Sequence, residues 1–166
     1  MRLLRRRRSR SYPGIAATTL VGQSLGARRM DEGAAATRIA RRWAVGWMSV
    51  IGAIVPIYAR PIMQLFTVDP AVIEVGAAGL RIVALAQPFW AVLLVYSGAL
   101  RGTGNTRFPL LATGGAIWLS VGLAYVLLAS VGGGLIAVWA AFLALAPAQA
   151  LIYRWRWRRA MREYCR

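Results

Sequence analysis

Few side chains in this sequence could do chemistry. Gln87, Tyr96, Ser97 and Thr113 are polar groups set inside long apolar runs, and Trp90, Trp118 and Trp139 lie in the same runs. Arg101, Gly102, Gly104, Asn105 and Arg107 occupy one short connection between two of those runs. The chain has no His, its one cysteine is Cys165, and no Asp or Glu occurs from Val75 to Arg162. A paired-carboxylate site, a Cys/His metal site and a base-activated nucleophile therefore lack their parts. An intrachain disulfide is excluded, and the sequence does not read as an enzyme. What remains is hydrogen bonding by Gln87, Tyr96, Ser97 and Thr113 to a solute in a cavity, and cation–π contact by the tryptophans. The blander alternative for the four polar residues, interhelical hydrogen bonds of about 0.6–2 kcal/mol each, is favoured over the cavity. For the tryptophans it is packing or lipid contact.

The element that positions these groups is the connection Gly98-Ala99-Leu100-Arg101-Gly102-Thr103-Gly104-Asn105-Thr106-Arg107-Phe108-Pro109. Gly102 and Gly104 suit a tight turn because glycine takes positive φ without steric cost. Asn105 or Thr106 suits the N-cap of the next helix, with Pro109 in its first turn. Gly102-Thr103-Gly104 superficially matches a phosphate loop, but no strand precedes it and the glycine fingerprint is incomplete, so it reads as a turn. Two apolar runs joined this way read as a membrane hairpin.

Composition agrees. The chain is 58% hydrophobic over 166 residues yet carries a formal charge of +16, and all 21 basic residues are Arg. The arginines gather at 2–10, 28–42 and 154–166, flanking apolar runs instead of lining one surface. That distribution is the positive-inside signature of an integral membrane protein and argues against nucleic-acid binding.

In chain order, residues 1–12 form an Arg-rich tail. The stretch that follows holds Pro13, Gly14, Thr18, Thr19, Gly22, Gln23 and Ser24, too polar for the core of a signal peptide. Residues 13–27 would cover only about 22 Å as a helix, short of the ~30 Å hydrocarbon core, so they read as a partial span. Gly22 and Gly26 share a face that allows close helix approach, with the equally weighted alternative that small residues are simply common in membrane helices. Residues 28–42 read as a loop with an amphipathic helical part. Residues 43–59 read as a span that Pro56 bends or ends. Asp69 suits the N-cap of a third span over 71–100, with Arg81 snorkelling near one end and Pro88 kinking it. The uncharged run 108–153 is too long for one helix, and Val131-Gly132-Gly133-Gly134 divides it into spans near 108–129 and 135–153. Trp155 and Trp157 interleave with the arginines of a tail at 154–166. The fold class expected is all-α integral membrane, with about four full spans and one partial N-terminal helix.

Placing 28–42 in the cytoplasm puts 101–107 and the C-terminal tail there too. Those segments hold thirteen arginines, whereas the opposite side holds only Arg60. The predicted location is a multi-pass inner (plasma) membrane protein with a cytoplasmic C-terminus. Arg101 and Arg107 are expected to meet anionic headgroups. Residues 13–27 disagree, since a full crossing there would place the basic 1–12 tail outside. An N-terminally truncated chain, or a misplaced start, resolves the conflict.

Three blocks carry a resemblance. Residues 16–28 (Ala-Ala-Thr-Thr-Leu-Val-Gly-Gln-Ser-Leu-Gly-Ala-Arg), residues 65–73 (Leu-Phe-Thr-Val-Asp-Pro-Ala-Val-Ile), and Gln87-Pro88 followed by the 98–109 turn resemble multidrug and toxic compound extrusion (MATE) transporters, in the same order and spacing. The resemblance runs from about residue 14 to 153. It implies part of a six-helix lobe, most naturally the C-terminal one over 13–153, whose partner is a missing N-terminal lobe. It also implies export of amphipathic cationic small molecules, coupled to Na⁺ or H⁺ by alternating access between two lobes. Some members carry an acid in the helix matching 82–100, where this sequence has Phe89, Trp90 and Val92. The coupling-ion site is therefore expected outside this chain, and no other cofactor is implied. Two alternatives stand beside the exporter: a lipid-linked oligosaccharide flippase of the same superfamily, and a membrane assembly protein or gene remnant that transports nothing.

Overall fold

The computed structural model describes residues 13–131 and 134–164. Its regular structure is helical: α1 (Pro13–Gly26), α2 (Met30–Gln64), α3 (Pro70–Gly102), α4 (Arg107–Val131) and α5 (Gly134–Tyr164). The basic tail expected at 1–12, the middle glycines of the 131–134 divide, and Cys165 and Arg166 lie outside the described residues. Helices α2, α3, α4 and α5 are each long and apolar enough to cross a membrane. With 14 residues, α1 reaches only about 21 Å. The chain is thus an all-α membrane protein whose described residues form four helices of spanning length and one shorter helix.

Short connections make successive helices antiparallel. Helix α3 is central and packs on α1, α2 and α5, while α4 packs chiefly on α5. Down the α2–α3 pair, Ala44 meets Ala91 and Val95, Gly52 meets Ala84, Pro56 meets Arg81, Arg60 pairs with Glu74, and Met63 covers Gly76. Fourteen of the 21 buried hydrophobic residues among those described are alanine. In lipid, helices gain little by hiding apolar surface from one another, so close packing of small side chains holds them together. A second, bulkier cluster joins Val21 of α1, Tyr96 and Leu100 of α3, and Tyr153 and Trp157 of α5.

Several boundaries differ from the sequence-based expectation. The 28–42 stretch is no loop: from Met30 it is continuous with the following span, and α2 runs on past Pro56 and Pro61 to Gln64. Proline removes one donor per site, and a helix this long, held along its length by α3, continues across both. The tail from Arg154 to Tyr164 is likewise a helical extension of α5. Arg81 is exposed, with Nε donating to the Pro56 carbonyl at 3.5 Å. Asp69 caps α3 as expected, its Oδ1 accepting from the Ala71 N–H at 2.9 Å.

The prolines fall in a matched pattern. Pro56 leaves the Gly52 carbonyl without its i+4 donor, and Pro88 does the same to Ala84. Gly52 and Ala84 face each other across the α2–α3 seam. A Cβ on Gly52 would lie 2.7 Å from the Ala84 carbonyl oxygen.

Candidate functional site

The 98–109 connection is built from two reciprocal end motifs. At the close of α3, the Asn105 N–H donates to the Leu100 carbonyl at 3.2 Å and the Gly104 N–H donates to Arg101 at 2.9 Å. Gly104 has φ +81. This is a Schellman termination with glycine at its left-handed position. Asn105 then opens α4, its Oδ1 accepting from the Phe108 N–H at 3.3 Å. Gly102 departs from its expected turn role. It is the last residue of α3, and a Cβ there would come within 2.6 Å of the Thr18 carbonyl oxygen. Its smallness serves the contact between α1 and α3. Gly22 faces the Gly102 carbonyl across the same contact, whereas Gly26 meets nothing within 4 Å. The close approach therefore uses Gly22 and Gly102, and not the Gly22/Gly26 pair.

The α1–α2 turn ends the same way with different residues. The Arg29 N–H donates to Ser24 at 2.8 Å and the Arg28 N–H to Leu25 at 3.1 Å, with Arg28 at φ +55 where glycine is usual.

The polar candidates separate into two places. Tyr96 is buried and tilted against Trp157, with ring centroids 6.4 Å apart. Thr113 meets the Tyr153 hydroxyl at 2.8 Å, and Tyr153 also reaches the Pro109 carbonyl at 3.0 Å. Because that carbonyl can only accept, Tyr153 donates to it and Thr113 donates to Tyr153. Tyr96 and Thr113 thus sit about one packed cluster between α3, α4 and α5. Ser97 is buried on α3. Gln87 lies apart on the α2–α3 seam, half-buried, its Cβ beside Gly52. Arg101 and Arg107 are both exposed. Of the tryptophans, Trp118 is exposed, Trp90 half-buried, and Trp139 covers Gly79.

Two contributors were not singled out in the sequence. Tyr153 lies at the end of the uncharged run, where a tyrosine reads as an interfacial aromatic. Thr18 donates from α1 to the Gly98 carbonyl at 2.9 Å. Gly98 and Gly102, four apart on α3, were the available signal for a partner helix there.

Two hollows open at the Arg-rich end. One, of about 440 Å³, is lined by Leu25, Arg28, Met30, Asp31 and Tyr164. The other, of about 430 Å³, is lined by Ala35, Arg38, Ile39, Arg41 and Arg42. Among the described residues no three His, Cys, Asp or Glu side chains group as metal ligands.

Comparison with known proteins gives the family. The MatE family model matches residues 13–126, more than half of the chain. The chain belongs to the MatE family. It is 31% identical over 131 residues to the probable multidrug resistance protein NorM of Thermotoga maritima, covering 78% of this chain and 28% of that protein. It is 32% identical over 105 residues to the multidrug resistance protein PmpM of Pseudomonas aeruginosa, covering 63% of this chain and 22% of PmpM. A probable NorM of Neisseria meningitidis is 27% identical over 157 residues, covering 92% of this chain and 34% of the relative. This MatE chain spans about a third or less of the length of these relatives. The four membrane-length helices among the described residues agree with a multi-pass membrane protein of this family.

Proposed function

We propose that this chain forms part of a cation-coupled exporter of amphipathic cationic compounds. The observation that supports the reading best is the MatE match over 13–126, together with relatives named as multidrug resistance proteins. Transport would proceed by alternating access between this helical unit and a second lobe. Gln87 is the polar side chain best placed to meet solute, since it is half-buried and lies away from the Tyr153 cluster. No carboxylate lies between Val75 and Arg162, so Na⁺ or H⁺ coupling through a buried acid would use residues beyond those spans. The Arg-rich end would face the cytoplasm, with Arg101 and Arg107 among the headgroups. A flippase of lipid-linked oligosaccharide is the second reading, and the Arg-Gly-Thr-Gly-Asn-Thr-Arg turn favours the exporter over it.

Reconstitution tests the proposal. Proteoliposomes containing this chain alone should show no ethidium efflux under an imposed Na⁺ or proton gradient. Co-expression with an N-terminal MatE lobe should produce efflux that depends on one of the two gradients and that an ionophore for that ion abolishes. Efflux by the chain alone would refute the need for a second lobe. Absence of efflux from the paired lobes, with both inserted, would refute the exporter reading. A green fluorescent protein fused after Arg166 should fluoresce, as a cytoplasmic C-terminus requires.

A further inference from the structure

The Arg-rich end of α4 and α5 carries charge that no ion pair among the described residues neutralises at Arg107 or Arg156. Among the described residues, the arginines in ion pairs are Arg29, Arg60 and Arg159. In the last turns of α5, Arg154, Arg158, Arg159 and Arg162 are exposed, but Arg156 is half-buried. Its guanidinium lies 5.8 Å from the centroid of the Phe108 ring, and its Nη1 is buried without an acceptor. A charged donor left unpaired is costly, so this is a place where an anion would be stabilising. Phe108 is itself fixed from behind, edge-on to Tyr153 at 5.5 Å.

Arg107 precedes Phe108 and heads an exposed face of α4. Spaced at helical intervals below it are Leu110, Leu111, Trp118, Val121 and Tyr125, with Leu110 and Leu111 each 73% exposed. Trp118 lies about 16 Å along the axis from Arg107, close to the ~15 Å depth of one hydrocarbon leaflet. A cationic head thus stands over an apolar stripe as long as one acyl chain.

We propose that this surface binds one anionic phospholipid. Its phosphate is held by Arg107 and Arg156, with Phe108 as the floor, and an acyl chain follows Leu110, Leu111 and Trp118 down α4. Guanidinium groups suit the role because their planar donors match phosphate oxygens in pairs. The stripe selects a lipid over free phosphate, since a free anion would use only the head. It also disfavours an acidic soluble protein, which could not reach a surface at hydrocarbon depth. The inference rests on the membrane-spanning fold and the two arginines. It does not depend on transport, so a chain that moves no solute would still retain the lipid.

Native mass spectrometry of the full chain, released from micelles doped with phosphatidylglycerol or phosphatidylcholine, tests it. The unaltered chain should retain one phosphatidylglycerol and no phosphatidylcholine. The Arg107→Gln/Arg156→Gln variant should lose about tenfold or more of that occupancy. Arg154→Gln/Arg158→Gln, which removes the same charge from the same helix, should retain it. Arg107→Gln alone, an exposed change that leaves the core intact, should lose occupancy severalfold. Excess inorganic phosphate should not displace the lipid. Equal losses in the two double variants, equal retention of both lipids, displacement by phosphate, or no retained lipid at all would each overturn the proposal.

Discussion

Tyr153 of α5 donates its hydroxyl proton to the carbonyl of Pro109 in the first turn of α4, at 3.0 Å, while Thr113 one turn on donates to Tyr153. A single buried oxygen thereby joins the two helices at the level of the 98–109 turn. The two partners are not equivalent. Losing the tyrosine hydroxyl removes both bonds, although Thr113 can fall back on the Pro109 carbonyl four residues before it. Losing the threonine hydroxyl leaves the Tyr153–Pro109 bond in place. Tyr153→Phe should therefore destabilise by about 1–2 kcal/mol and Thr113→Val by about half of that. Thermal unfolding in detergent, followed by circular dichroism, checks the order; a larger loss in Thr113→Val would contradict the donor assignment.

Gly102→Ala should separate α1 from α3. Its Cβ would lie 2.6 Å from the Thr18 carbonyl and 3.0 Å from the Val21 Cβ, and a backbone oxygen cannot swing aside as a side chain can. Overpacking of this kind costs about 1–3 kcal/mol. Gly26→Ala, on the other side of the supposed glycine pair, should change stability by less than about 0.5 kcal/mol. Thermal unfolding of the two variants in detergent checks the contrast, and an equal loss in both would contradict it.

Arg28→Gly should stabilise the chain. Arg28 holds φ +55 at the end of α1, in the position that Gly104 fills at the end of α3. Relieving a side chain of the left-handed conformation gains about 1 kcal/mol, partly offset by the greater freedom of glycine when unfolded. The expected rise in melting temperature is small but opposite in sign to most substitutions. Gly104→Ala should lower it.

Arg101→Glu/Arg107→Glu should weaken insertion and orientation. The two arginines are exposed on the turn, so the core is untouched and the effect is one of charge placement. Labelling a cysteine at Asn105 from each side of the membrane reads the outcome. Unchanged cytoplasmic labelling with undiminished expression would remove these arginines from any topological role.

Helix number, the two helix starts at Asp69 and Asn105, and the break near 131–134 were legible because each depends on local chemistry: hydrophobic length, capping oxygen, glycine. Helix ends at the interface were less so. Arginine clusters mark where the hydrocarbon stops, but they do not stop a helix, and α2 and α5 continue through theirs. Gly102 and Gly104 look alike in sequence, yet only the second needs positive φ; the first is explained by α1, which comes from eighty residues earlier. Gln87, Tyr96, Ser97 and Thr113 are all visible as polar residues in apolar runs. What Thr113, Tyr96 and Gln87 meet on another helix is decided far away in the chain, by Tyr153, Trp157 and Gly52 respectively, and nothing in their own spacing points to those partners.

The facing of Gly52 and Ala84 bears on how this unit can move. The oxygen released by the bend in α3 rests on the stretch of α2 that carries the other released oxygen. Altering the angle at Pro88 displaces the Ala84 oxygen against Gly52, where no side chain intervenes to absorb the shift. Any change in the course of α3 at Pro88 would therefore be felt by α2 at Gly52, where bare backbone faces bare backbone.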